Sequence, residues 1–176
     1  MKVFGRIAVF LALAAFLTIF PTMVQGKNQM IIMGWIEEIR VMPDGPLMEA
    51  KLDTGARTSS LHATQIETFK KNGKTMVRFM LDTDCLLSGQ QLQKVFEKPL
   101  ERNVYIRQHR GDPKHRPVVK LDISIGGKEY HTQFTLTDRS NFDYPVLLGR
   151  RLLQDKVLVD SGNKHLISGV CTEDPC

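Results

Sequence analysis

Asp53-Thr54-Gly55 is the tripeptide of this chain whose residue types and order best suit chemistry. It follows the alternating run Leu47 to Leu52, so a strand ends on the Asp53 carboxylate and hands it to a turn. The strand fixes the carboxylate, the Thr54 hydroxyl braces the turn, and Gly55 permits close backbone approach. Hydrolysis of a peptide bond by carboxylates needs two of them side by side. Like charges in contact cannot both ionise easily, so the pair shares a proton, one member acting as base toward a water and the other as acid. The chain carries one Asp-Thr-Gly and no internal repeat of it. The second carboxylate must therefore be Asp53 of another copy across a two-fold axis, which makes a homodimer part of the mechanism. Alone, the tripeptide also suits an ordinary β-turn, because Asp and Gly are common turn residues.

A second element adds weight. Val146-Leu147-Leu148 is an apolar strand that enters Gly149-Arg150, the start of a short helix. These residues, the run Ala50 to Ala63, Arg116-Pro117-Val118, the Gly126-Gly127 hairpin, Tyr144-Pro145 and Val159-Asp160 together resemble the bacterial retropepsin-like aspartic peptidase family, long labelled an ATP-dependent zinc protease. The resemblance spans most of residues 32 to 167. It implies a retropepsin-like closed β-barrel, catalysis by an Asp53 dyad with Thr54 and Gly55 as its braces, a structural role for Gly149 and Arg150, and no cofactor. Neither ATP nor zinc has a motif here: there is no Gly-rich loop ending in Lys-Ser/Thr, no His-Glu-x-x-His and no Cys-x-x-Cys. Some members are similar to enzymes that trim glutamate tails added by ATP-grasp ligases, so an acidic or glutamate-rich peptide is the candidate substrate. A retropepsin-like module that binds peptides without turnover is the alternative.

The candidate substrate-binding residues are Ala56, Arg57, His62 and Arg116. Viral retropepsins usually carry an Asp shortly after the catalytic Gly-Ala that pairs with the Gly-Arg arginine, whereas here Arg57 stands in that place. Arg150 must then find another partner among Asp138, Asp143 and Asp160. A guanidinium at Arg57 beside the dyad grips a substrate carboxylate in two-pronged fashion, or else forms a structural salt bridge. His62 serves either as a pH-sensitive donor in the cleft or as a hydrogen-bonded strand residue. Residues 82 to 117 stand where a flap is expected, yet hold only Gly89 and Gly111. Their cations Arg102, Arg107, Arg110, Lys114 and Arg116 gather toward the C-terminal end, as a basic lid for an acidic peptide or as solvated surface. Ser59 and Ser60 lie in no Gly-x-Ser-x-Gly elbow, which removes the serine-hydrolase class.

The elements that must position these groups read as all-β. Turn residues cut the chain every eight to twelve positions or so. Expected strands are Ile31 to Ile39 with Trp35 in the core, Leu47 to Leu52, Ser59 to Ala63, Thr75 to Leu81, Asn103 to Gln108, Arg116 to Ile125, Glu129 to Leu136 and Val146 to Leu148. A last hairpin joins Val157-Asp160 to His165-Ser168. Gln65 to Lys71 reads as a short helix or loop, and residues 82 to 103 as a helix around Gln90 to Glu97 or an excursion over the site. Gly149 to Leu153 is the one short C-terminal helix.

With 176 residues and 42% hydrophobic content, the chain suits one domain, residues 27–176, behind a different N-terminus. Lys2 and Arg6 precede the apolar run Ile7 to Phe20 and then Pro21, the layout of an export signal over residues 1–26, or of an N-terminal anchor if it is retained. The expected location is periplasmic or otherwise exported, with membrane contact only through a retained anchor. The net charge of +5 falls to +3 without Lys2 and Arg6, which leaves 22 basic against 19 acidic residues, too mild to argue for nucleic acid. Cys85, Cys171 and Cys176 lie in the exported part, where any one pairing leaves one thiol over.

Overall fold

The computed structural model describes residues 29–84, 86, 89–106 and 114–167. The N-terminal segment, all three cysteines and most of the polar loop before Arg116 lie outside the described residues. Within them run twelve strands and one helix: β1 (Ile31–Gly34), β2 (Ile36–Val41), β3 (Leu47–Leu52), β4 (Ser59–His62), β5 (Thr64–Lys71), β6 (Lys74–Asp84), β7 (Gln91–Pro99), β8 (Arg102–Ile106), β9 (Lys114–Ile125), β10 (Lys128–Thr137), β11 (Val146–Leu148), α1 (Arg150–Leu153) and β12 (Val157–Asp160).

Alternation explains the barrel. In β9, Val119, Leu121, Ile123 and Ile125 point inward, between Lys120, Asp122 and Ser124. Tyr130, Phe134 and Leu136 of β10 and Met48, Ala50 and Leu52 of β3 fill the same core. The strand order β10-β4-β11-β3-β2-β9 closes on itself because β9 also pairs with β10, which gives the six-stranded closed β-barrel expected of a retropepsin-like chain. Closure rests on a two-residue turn. Gly126 and Gly127 have φ of +54° and +74°, the left-handed pair that a tight hairpin of this hand needs, and Lys128 lies opposite Ile125.

Three expectations give way. Ile31 to Ile39 is two strands, broken at Trp35. That ring is only half-buried, lying edge-on to Tyr144 at 6.1 Å with the Lys164 ammonium 4.5 Å from its centroid. Residues 65–71 and 91–97 are neither helix nor loop, Gln90 lying just before the strand. They belong to β5 and β7, which flank β6 in a separate three-stranded sheet. The Asn72-Gly73 turn joins β5 to β6, and Phe96 of β7 stacks on Phe79 of β6 at 5.6 Å. Among the described residues the last segment forms no hairpin; β12 pairs in parallel with β1, from Ile31 opposite Val157 to Gly34 opposite Asp160. Residues 165–167 instead fold back onto the buried Glu37 carboxylate, which accepts the N–H groups of Leu166 at 3.0 Å and Ile167 at 3.3 Å.

Candidate active site

β3 delivers Asp53 to the end of the barrel, where the Asp53 N–H donates to the Leu148 carbonyl at 2.9 Å and so ties the turn to β11. Asp53 Oδ1 accepts the N–H groups of Gly55 at 2.8 Å and Ala56 at 3.1 Å. Both bonds fall on one oxygen, and Oδ2 is left without a protein partner among the described residues. A Cβ at Gly55 would stand 3.1 Å from Oδ1, so a glycine lets the backbone curl around the carboxylate. Thr54 is exposed and its hydroxyl makes no hydrogen bond within the described residues.

The brace comes instead from the start of α1. Arg150 Nη1 donates to the carbonyls of Thr54 at 2.7 Å and Gly55 at 2.9 Å, and the N–H groups of Arg150 and Arg151 donate to the carbonyls of Ala56 and Arg57. None of Asp138, Asp143 or Asp160 is the partner of Arg150; two carbonyls take the place of a carboxylate. The Asp160 carboxylate is held by Asn163 at 2.8 Å and by the Gly162 N–H at 2.8 Å. Gly149 is buried against the backbone of Thr58, and its N–H donates to Ser59 Oγ at 3.1 Å. Gly149 and Arg150 therefore hold the Asp53 turn mechanically.

Beside this turn opens a cavity of about 690 Å³ that Ala56, Arg57 and Arg116 line, as the sequence suggests. Arg57 is exposed and forms no ion pair among the described residues. His62 does not line this cavity. It is a buried β4 residue whose Nδ1 accepts the Arg139 N–H at 2.9 Å, on the side of a different cavity with Asp82 and Asp138. Its work is to hold the chain at Arg139.

Arg102, Arg139 and Arg151 also line the cavity beside the Asp53 turn, so that among the described residues five arginines and no acid face it. Arg139 is buried, anchored by its Nε to the Tyr144 carbonyl at 3.1 Å and laid over Phe142 at 4.5 Å. Burial and then the charge of Arg116 draw its pKa below the usual guanidinium range, while the Asp53 charge acts in the opposite sense. Burial, then Arg151 and Arg57, do the same to Arg102, against a small opposing pull from Glu101. Arg102 Nη1 and Arg116 Nε are buried without a hydrogen-bond partner among the described residues. Buried donors of this kind carry a desolvation cost that an anion in the cavity would offset. Sequence reading places Arg102 in a basic lid and does not single out Arg139 or Arg151. The available signal was the tandem Arg150-Arg151, one guanidinium turned to the Asp53 turn and the other to the cavity. Among the described residues, no three His, Cys, Asp or Glu side chains gather as a metal site.

Known proteins are similar to this chain in sequence and fold. The crystal structure of Lpg0085, a Legionella pneumophila protein with unknown function (DUF785), is 34% identical with a TM-score of 0.66, covering 77% of this chain and 97% of that one. Proteins named "Probable alpha-L-glutamate ligase" are also similar. The one from Shewanella pealeana is 36% identical over 115 residues, 65% of this chain and 25% of that protein. The one from Desulfotalea psychrophila is 28% identical over 128 residues, 73% of this chain and 27% of that protein. The chain thus spans about a quarter of the length of the curated relatives it matches. A family model described as "Retropepsin-like aspartic endopeptidase RimB" matches residues 32–168. With that match across most of its length, the chain belongs to the RimB-like family of retropepsin-like proteins.

Proposed function

We propose that this protein is an aspartic endopeptidase whose catalytic dyad is Asp53 from each of two identical chains, acting on acidic or glutamate-rich peptides. The observation that carries the reading is the Asp53 carboxylate itself, fixed through Oδ1 by two backbone N–H groups and clasped from behind by Arg150, with Oδ2 free to face a partner. In the dyad one Asp53 is ionised and takes a proton from water, whose oxygen attacks the scissile carbonyl carbon. The other Asp53 is protonated and donates to the carbonyl oxygen. Collapse of the resulting diol, with a proton passed to the departing nitrogen, frees the two products and leaves one shared proton on the dyad. Thr54 and Gly55 keep the two turns in register, and Arg57 and Arg116 attract the substrate's carboxylates.

Two findings favour the acidic substrate: the cavity beside the turn is lined by arginines, and similar proteins bear a name concerned with α-L-glutamate. The same findings support the second reading, a peptide-binding module without turnover, because a basic cavity binds acidic peptides whether or not a dyad assembles. Digestion of an acidic peptide library with wild type and Asp53→Asn, alongside sedimentation, separates the two. Hydrolysis lost in Asp53→Asn and a dimer in solution are expected. Equal hydrolysis by Asp53→Asn, or a strict monomer that still cleaves, would overturn the dyad. Export through residues 1–26 is part of the same proposal, and N-terminal sequencing of the protein from cells reads it directly.

A further inference from the structure

His62 and Arg139 meet at the wall between two cavities. Arg139 lines both the cavity of about 690 Å³ beside the Asp53 turn and a second one of about 440 Å³, where His62, Asp82, Asp84 and Asp138 also stand. Strand pairing fixes the imidazole from its backbone. His62 lies opposite Thr137 of β10, its N–H donates to the Pro145 carbonyl at 2.8 Å, and the Ala63 N–H donates to the Thr137 carbonyl at 3.0 Å. Arg139 lies beyond the end of β10, where the ladder with β4 has stopped. Its N–H donates instead to His62 Nδ1 at 2.9 Å, and its carbonyl accepts the Phe142 N–H at 2.9 Å. The bond to His62 is thus the link from the rigid barrel to the backbone that carries this guanidinium.

That bond dictates a protonation state. A backbone N–H can only donate, so Nδ1 must offer its lone pair, and the ring proton sits on Nε2 of a neutral imidazole. A doubly protonated ring carries hydrogen on both nitrogens and cannot accept the Arg139 N–H. Another acceptor stands beside it: Asp138 Oδ1 lies 3.7 Å from Nδ1 and accepts the Ser140 N–H at 2.9 Å. A proton on Nδ1 therefore exchanges the Arg139 backbone for the Asp138 carboxylate within one short segment. The charged groups that face the ring are Asp82 and Asp84 of β6 with Asp138 and Arg139 after β10, while Thr64 of β5 and Pro145 before β11 are neutral. Imidazole is the side chain that ordinarily changes charge between about pH 5 and 8, so this exchange is open to ordinary changes of acidity.

We propose that His62 is a positioning residue for substrate capture that works only as the neutral imidazole: by accepting the Arg139 N–H it sets Arg139 in the wall of the cavity beside Asp53, and a proton on Nδ1 releases it. Capture then weakens in acid. It does so against the general field, because a proton added elsewhere on the protein strengthens its pull on an acidic peptide. The sign of the pH dependence thus separates positioning from plain electrostatics. This inference rests on the acidic-peptide reading above and adds a proton-dependent control of it.

The test is binding of hexaglutamate to Asp53→Asn, which removes turnover and the titration of the dyad, measured by calorimetry from about pH 8 to about pH 5.5 at fixed ionic strength. Affinity should fall about tenfold toward the acid end, the equivalent of one lost hydrogen bond at the cavity wall. In His62→Asn, made in the same background, an amide oxygen replaces Nδ1 as an acceptor that takes up no proton. Its affinity at the alkaline end should lie within about threefold of the parent, and the acid loss should vanish. His62→Leu has no acceptor and should bind about tenfold more weakly across the whole range. His165→Asn removes an imidazole that pairs with Glu49 at 3.2 Å and lines neither cavity, so it should keep the parent profile. Nuclear magnetic resonance on the wild type needs neither ligand nor variant: the Arg139 amide hydrogen should lose its protection from exchange as His62 Nδ1 takes up a proton. Affinity that rises or stays level in acid, an acid loss that persists in His62→Asn, or an Arg139 amide still protected once Nδ1 is protonated overturns the proposal. If hexaglutamate binds at no pH, the acidic-peptide reading fails, and the resonance experiment alone decides the coupling of His62 to Arg139.

Discussion

Replacing Gly149 with Ala tests whether the Asp53 turn is clamped by the start of α1. A Cβ at this position would stand 2.8 Å from the Thr58 carbonyl carbon and 3.0 Å from both its nitrogen and its oxygen. Ordinary contact begins near about 3.4 Å, so the Thr58 backbone must give way by roughly 0.5 Å. No flexible side chain is available to absorb the shift, because all three atoms are backbone. The displaced segment is also the one that the N–H groups of Gly149, Arg150 and Arg151 hold through Ser59 Oγ and the carbonyls of Ala56 and Arg57. Overpacking costs about 1–3 kcal/mol, and rigid neighbours put this site at the upper end, about 2–3 kcal/mol. Urea unfolding should show that loss, with a fall in Tm of about 4–12 °C for a domain of this size. Cleavage of an acidic peptide should fall further than stability does, because a misplacement of about 1 Å at a reacting group costs on the order of a hundredfold. Gly73→Ala is the control: its Cβ meets nothing within 4 Å and its φ is +74°, so it should show backbone strain of about 1 kcal/mol and no change in activity. Gly149→Ala within 0.5 kcal/mol of wild type, a threshold of roughly ordinary surface-substitution size, would refute the clamp.

Three further outcomes follow from particular contacts. Arg150→Ala removes both bonds to the Thr54 and Gly55 carbonyls and should cost about 2–3 kcal/mol in unfolding experiments, the low end for charged donors because the side chain is exposed. Since one nitrogen makes both bonds, Arg150→Lys should keep part of that stability, and equal losses in the two variants would contradict the assignment. Glu37→Gln places an amide against the N–H groups of Gly34, Leu166 and Ile167, and should destabilise by about 2–4 kcal/mol while raising protease sensitivity after β12. Asp160 has its pKa lowered from 3.8, by the Asn163 amide first and then the Gly162 N–H. A lowered folded-state value means that the unfolded chain takes up the proton first, so the contribution is complete above about pH 4 and disappears as the pH falls through the folded value. Asp160→Asn should therefore lower stability most at neutral pH and little in acid, flattening the acid limb of the stability profile, which a Tm series from neutral to acidic pH reads.

What was legible in the sequence was local. Alternation in Leu47 to Leu52, the Gly126-Gly127 turn and the apolar Val146 to Leu148 each announce their own structure, and between them they position Asp53, Gly149 and Arg150. β5 and β7 escaped because their alternation is weak. Their sheet buries little on those strands beyond Phe96, and Val95 is 58% exposed, so polar residues occupy most positions on both faces. The pairing of β12 with β1 joins residues more than 120 positions apart, and no local pattern distinguishes that partner from a neighbouring hairpin. Arg102, Arg139 and Arg151 come from β8, the segment after β10, and α1, so their convergence is a property of the closed barrel. The search for an acidic partner of Arg150 failed for a related reason: a backbone carbonyl leaves no trace in residue types.

That failure indicates how the protein uses arginine. Arg78, on the outer sheet, pairs with Glu97 at 2.8 Å and neighbours Glu67 at 3.9 Å, so carboxylates neutralise it where it stands. Around the Asp53 turn the anchors are of another kind. Arg150 is held by two carbonyls, Arg139 by a carbonyl and an aromatic face, and Arg151 by an amide. Neutral acceptors fix a guanidinium in place without cancelling its charge, whereas a carboxylate does both. Among the described residues the cavity thus keeps a positive field that is positioned and has no lining carboxylate, at a cost in self-repulsion that the closed barrel must absorb. Such an arrangement adds little to a fold by itself and a great deal to the capture of an anion, which is the physical reason to look for this protein's specificity in its arginines and for its chemistry in Asp53.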